Sequence, residues 1–124
     1  MMLVAQTYVD FFQKFDNNTP IEAYKHFFDE NSYFEDPFQK VKGVEKIYHI
    51  FQDMYAKLYK PKFEIKECIS QHDVTYIQWI FSYQMDSKAE VQSFIGISRV
   101  VFSKSMRVKS HIDYTHLKSN YNRA

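Results

Sequence analysis

Apolar residues near the start of the chain, Leu3, Val4, Tyr8, Phe11, Phe12 and Phe15, recur every three or four positions, which predicts an amphipathic helix over 3–15. Thr19-Pro20-Ile21-Glu22 then has the form of a helix start, with Thr19 as N-cap, Pro20 at the first helical position and Glu22 reaching back. Ile21, Tyr24, Phe27 and Phe28 supply the buried side of this second helix, and polar Asp29-Glu30-Asn31 predicts its end. Ser32 to Asp36 reads as a short extended segment, because the residue before Pro37 is pushed out of the helical region, and a loop follows to Gly43. Val44, Ile47, Tyr48, Phe51, Met54, Tyr55 and Leu58 return to helical spacing, and Pro61 prevents continuation.

Beyond residue 61 the period falls to two. Phe63, Ile65 and Ile69 share one side of a run, and Ile77, Trp79, Phe81, Tyr83 and Met85 one side of the next. Turn residues at Gln71-His72-Asp73, Asp86-Ser87-Lys88 and Ser103-Lys104-Ser105 divide strands near 62–70, 74–85, 91–102 and 107–116, which suits an antiparallel meander. Gly96 is the expected place for a bend in strands this long. The run 91–102 is apolar on both faces, with Val91, Ile95, Ile97 and Val101 on one and Phe94, Val100 and Phe102 on the other. Three helices shield one face only, so a second copy of the chain is expected on the other, giving a homodimer through the sheet.

Composition narrows the function classes. At 124 residues the chain fits a single domain spanning 1–124, and 12 Phe with 10 Tyr provide enough ring surface for a substantial core. A formal charge of +1 lacks the basic stripe that nucleic-acid binding needs, so no nucleic-acid partner is expected. No apolar run approaches the roughly 18 residues of a membrane span, so no membrane partner is expected either. The lone Cys68 and an opening without a basic, then apolar, leader lead to a cytoplasmic expectation. His26, His49, His72, His111 and His116 lack metal-ligand spacing, and Gly43 and Gly96 stand alone, so neither a metal nor a cofactor is expected.

Helices first, then Tyr33-Phe34-Glu35-Asp36-Pro37, a glycine opening the third helix and a long meander: this order resembles the nuclear transport factor 2-like superfamily, in particular its SnoaL-like and ketosteroid isomerase-like branch. The resemblance implies an α+β fold, a cone-shaped α+β barrel with three N-terminal helices packed on a curved four-stranded antiparallel sheet plus a short extra strand. It also implies an open end that admits a small apolar or carbonyl-containing molecule. Asp36 matches the catalytic base of the isomerases, and Tyr8 the tyrosine of their oxyanion hole. Ser98 stands where they carry a protonated acid and Phe51 where they carry a supporting tyrosine, so steroid isomerisation is not expected.

Asp36 among Phe34 and Phe38 would gain basicity from desolvation; as a turn residue before Pro37 it would serve the backbone instead. On the last strand Arg107, Lys109, His111, Asp113 and Thr115 alternate with Val108, Ser110, Ile112 and Tyr114, and the resemblance turns His111 and Asp113 inward. The alternative is an edge strand with that face in water. The candidate catalytic residues are thus Asp36, His111, Asp113 and Tyr8, with Trp79, Ser98, Phe12, Phe51, Tyr55 and Phe81 around the ligand. The expected function is a small-molecule-binding domain, extending to a cofactor-independent acid/base isomerase, cyclase or dehydratase; the alternative is a noncatalytic interaction or dimerisation module.

Overall fold

The computed structural model describes residues 2–115; the side chain of Leu3, counted in the first apolar stripe, and the expected strand end at His116 lie outside what is described. Three helices, α1 (Met2–Lys14), α2 (Ile21–Phe27) and α3 (Val44–Lys57), accompany six strands: β1 (Phe28–Asp36), β2 (Gln39–Lys42), β3 (Tyr59–Gln71), β4 (Val74–Gln84), β5 (Gln92–Phe102) and β6 (Val108–Thr115). The strands form one sheet in the order β2-β1-β6-β5-β4-β3.

The sheet has six strands, not four plus one, and it is mixed. β1 runs parallel to β6, whereas every other pair is antiparallel. Its direction is free because α3 and four strands separate β1 from β6 in sequence, long enough for either sense of return. β1 also starts earlier than expected, at Phe28, and α2 stops at Phe27. The polar run Asp29-Glu30-Asn31 ends the helix as its composition suggests, yet it belongs to an irregular stretch of strand, where pairing with β6 jumps from Phe28↔Val108 to Tyr33↔Ser110. The expected loop before Gly43 closes a hairpin, β1–β2.

The capping box at Thr19 does not form. The Thr19 hydroxyl accepts from the Asp16 amide at 2.8 Å and the Thr19 amide donates to the Asp16 carbonyl at 3.1 Å, so Thr19 is used by the preceding turn and Pro20 occupies the N-cap. Pro61 falls inside β3 rather than before it, which is tolerated because β3 is an edge strand.

Two bulges rewrite the expected side-chain facing. β3 carries an extra residue, Lys66, between the pairs Ile65↔Trp79 and Glu67↔Gln78, which transfers Ile69 to the outer face. β6 carries Lys109 between Val108↔Phe102 and Ser110↔Val101. Val108 and His111 are therefore both buried, and Arg107 and Lys109 point to solvent instead of joining His111 and Asp113.

The helices cover one face, α1 against β3 and α3 against β1, β2 and β3, around a core of rings. Tyr8 lies at its centre, edge-on to Phe12 at 4.9 Å and to Phe28 at 5.6 Å between centroids. Such pairs add about 0.5–1.5 kcal/mol each beyond the area they bury. On the opposite face Tyr76, Ile95, Ile97 and Tyr114 stay exposed, Ile95 to 52% and Tyr114 to 58%.

Gly96 does not bend its strand: β4 and β5 keep one register from Val74↔Val101 to Tyr83↔Gln92. Its role is room, since a Cβ there would collide with the six-membered ring of Trp79, its cross-strand partner. We predict that Gly96→Ala lowers stability by about 1–3 kcal/mol, the cost of overpacking. Chemical denaturation followed by the fluorescence of the single tryptophan measures it, and an unchanged midpoint would refute the contact.

Candidate functional site

Inward-facing positions of β4, β5 and β6 carry one connected set of polar groups. Trp79 Nε1 donates to Ser98 Oγ at 2.8 Å, Ser98 Oγ donates to Asp113 Oδ1 at 2.5 Å, and His111 Nε2 lies 2.7 Å from the same oxygen. Beyond the imidazole, His111 Nδ1 meets the Tyr8 hydroxyl at 2.8 Å. Register places these groups together, because Gly96 and Ser98 face Trp79 and Asp113 across neighbouring ladders: Trp79↔Gly96 and Ser98↔Asp113.

The directions of these hydrogen bonds follow from the donor-only indole at one end and, for a neutral imidazole, from the acceptor-only carboxylate. An indole N–H only donates, so Ser98 Oγ must accept and its own hydrogen goes on to Asp113. A carboxylate oxygen only accepts, so His111 carries its proton on Nε2. Nδ1 is left to accept, and the Tyr8 hydroxyl donates to it. Two lines of donors thus converge on Asp113 Oδ1. Tyr8 is wholly buried, and burial pushes its phenol well above the ordinary range, with the charge of Asp113 and then Tyr24 adding to the effect.

Asp113 Oδ2 receives no hydrogen bond among the described residues. Asp113 borders a cavity of about 990 Å³ between α3 and the inner face of the sheet. Its walls include the rings of Phe34, Phe51, Phe63, Trp79, Phe81 and Phe94. Two further polar groups on the walls, Gln52 Nε2 and Thr115 Oγ1, are buried without a hydrogen-bond partner among the described residues, whereas the other acidic groups there are already engaged. Asp36 Oδ1 accepts from the amides of Phe38 and Gln39 at 2.8 and 3.0 Å, and its Oδ2 from the Gln39 side chain at 3.1 Å; Asp53 is paired with Lys57 at 2.8 Å.

The expected site residues therefore separate into layers. Asp36, Phe51, Trp79, Phe81 and Asp113 line the cavity. Phe12, Ser98 and His111 stand behind them around a gap of about 10 Å³, and Tyr8 lies deeper still. His111 is 1% exposed, packed between Phe12 and Phe34. Tyr55 is turned away, its hydroxyl donating to the Phe15 carbonyl at 2.8 Å. Phe34, Phe63, Phe94 and Thr115 line the cavity without having been singled out in the sequence. Strand alternation marks Phe63, beside Ile65, and Phe94, beside Val100 and Phe102, as sharing a face, and Phe34 stands out only as a neighbour of Asp36. Among the described residues no cluster of three or more His, Cys, Asp or Glu side chains could hold a metal ion, and no helix is long and apolar enough to cross a membrane.

Residues 6–111 match the SnoaL-like domain. The chain belongs to that family. Its fold is shared with a candidate SnoaL-like polyketide cyclase from Jannaschia sp. CCS1, with a TM-score of 0.82 and 9% identity over 98% of this chain and 90% of that one. A candidate isomerase of the SnoaL-like family from Agrobacterium tumefaciens superposes with a TM-score of 0.75 and 16% identity over 93% and 96%. A protein of ketosteroid isomerase-like fold from Catenulispora acidiphila, solved in complex with trimethylamine, gives 0.76 and 14% over 94% and 87%. No curated protein matches by sequence. In this SnoaL-like chain the Tyr8 hydroxyl is spent on a buried imidazole, and Tyr8 is not among the residues that line the cavity.

Burial also raises Tyr24 and Tyr55, as it does Tyr8. The folded chain then holds these phenol protons to higher pH than the unfolded chain does. The stabilisation is complete below the unfolded phenol value of about 10 and is lost as pH rises above it. We predict a falling denaturation midpoint above that pH, with phenolate absorbance from these tyrosines emerging only on unfolding; a midpoint that stays level would contradict their burial.

Proposed function

We propose that this SnoaL-like domain binds a small, mostly apolar molecule in the cavity beside α3, and that Asp113 makes the decisive polar contact. One observation carries the reading: Asp113 borders an aromatic-walled cavity and its Oδ2 has no hydrogen-bond partner among the described residues, whereas Asp36 and Asp53 are satisfied within the protein. A ligand that fills the space strips water from this oxygen and must replace the lost hydrogen bonds.

The enzymatic form of the reading is supported by the same geometry. When the ligand is a carbonyl compound, Asp113 Oδ2 removes a proton from the carbon next to the carbonyl and returns it elsewhere, which is the step shared by isomerases, cyclases and dehydratases that need no cofactor. Ser98 and His111 hold the carboxylate in place, and Tyr8 fixes the ring through Nδ1, so the base meets the substrate with its orientation already set. Asp36, tied to the β1–β2 turn, borders the ligand and is not assigned the base role here. The outer sheet face gives the chain a second surface: Tyr76, Ile95, Ile97 and Tyr114 offer exposed apolar area for a second copy, and light scattering should return about twice 15.0 kDa, with a monomer mass removing this part of the proposal.

2-Naphthol, an apolar bicycle with one hydroxyl donor, tests the site. It should quench Trp79 on entering the cavity, and Asp113→Asn should weaken its binding about tenfold, the value of one hydrogen bond to a charged acceptor. Asp36→Asn should change the affinity by less than about threefold. Equal affinities for the wild type and Asp113→Asn would dismiss Asp113 as the contact.

A further inference from the structure

We infer that the ligand of this cavity is an organic cation, an amine or quaternary ammonium with an apolar body, held with its charged nitrogen against Asp113 and the surrounding rings. The inference rests on the small-molecule reading above and adds the sign of the ligand's charge.

The starting point is the kind of partner Asp113 has. In the hydrogen-bond pattern in which Tyr8 donates to Nδ1, both groups on Oδ1 are neutral donors, a serine hydroxyl and an imidazole that donates through Nε2. Protonating that imidazole a second time would put a hydrogen on Nδ1, where Tyr8 already donates, and would leave the buried Tyr8 hydroxyl hydrogen without an acceptor. Among the described residues no lysine or arginine forms an ion pair with Asp113. The carboxylate is hydrogen-bonded, then, but its charge is not neutralised.

The other charges of the cavity roughly cancel and leave Asp113 to set its sign. Asp36 and Asp53 also border it, the latter offset by Lys57, while the one lysine on the wall, Lys46, is exposed on α3. His49, on the same helix, is exposed as well. An anion would meet Asp113 at short range, beside rings that screen poorly. A neutral apolar ligand would displace water from Oδ2 and return nothing for the charge. A cation compensates the charge as it displaces the water, and the negative faces of tryptophan and phenylalanine rings attract its alkylated nitrogen. The lining of Phe34, Phe51, Phe63, Trp79, Phe81 and Phe94 supplies such rings. Aromatic walls and one uncompensated carboxylate are the chemistry that recognises alkylammonium groups.

The test uses two molecules of nearly the same shape, 3-(trimethylammonio)phenol and 3-tert-butylphenol, with 3-hydroxybenzoate as the anion. Trp79 quenching and thermal shift report binding to the full chain. The ammonium should bind at least tenfold more tightly than its carbon isostere, the preference should shrink as salt rises, and 3-hydroxybenzoate should not compete. In Asp113→Asn the preference should fall to about threefold or less. Equal binding of the two phenols by the wild type would overturn the cationic assignment while leaving the small-molecule reading in place. Failure of both phenols and of 2-naphthol to bind would remove the two together. A preference that survives Asp113→Asn would assign the charge to another group and refute this one. If that variant does not fold, the salt dependence of the isostere ratio in the wild type decides the question alone.

Discussion

A carboxylate inside a nest of aromatic rings is tolerable only when hydrogen bonds replace the water it has lost, and the arrangement around Asp113 is organised by that requirement. The donors come from opposite sides. Trp79 and Ser98 approach along β4 and β5, His111 comes from the same strand two residues earlier, and Tyr8 closes the far end from α1. Because an indole can only donate, the line from Trp79 through Ser98 to Asp113 has one direction. The same indole lies flat enough over Gly96 that no other residue would fit beneath it. Packing and polarity are thus tied together at one tryptophan, which also forms part of the cavity wall.

The division between cavity and backing layer follows from burial. His111 has the side chain most suited to moving protons near neutral pH, yet Phe12 and Phe34 cover it and leave Asp113 as the member of the set that, with Trp79, borders the cavity. Asp36 has both oxygens committed to the β1–β2 hairpin. The polar contact is therefore carried by the last strand rather than by the acid-proline turn.

Much of the architecture was legible because it depends on local period. Tyr8, Phe12 and Phe15 mark the inner side of α1, Ile47 and Phe51 that of α3, and Ile77, Trp79 and Phe81 that of β4, and all are buried. What could not be read depends on contacts between distant segments. Nothing in the spacing of residues shows that β1 lies parallel to β6, or that Tyr8 and His111 meet across 103 positions. Nor does alternation announce where it will slip, so Ile69, Arg107 and Lys109 were given the wrong face. Thr19 had the right chemistry for a cap, but a competing turn with Asp16 claimed it. At the site, His111, Asp113 and Ser98 were found by strand facing and family likeness, whereas the walls contributed by Phe34, Phe63 and Phe94 became evident only with the sheet and helices in place.

The slip at Lys109 has the largest leverage of these features. A strand repeats every two residues, so a single inserted amino acid advances everything downstream by half a cycle. Counted from buried Val108 without that insertion, the imidazole and the carboxylate would both emerge on the solvent side, and Ile112 and Tyr114 would fill the interior instead. One unpaired position thus decides whether the chain's end builds a chemical surface or a greasy one. Pairing the same residues without the bulge would convert the one into the other, with no change in composition at all.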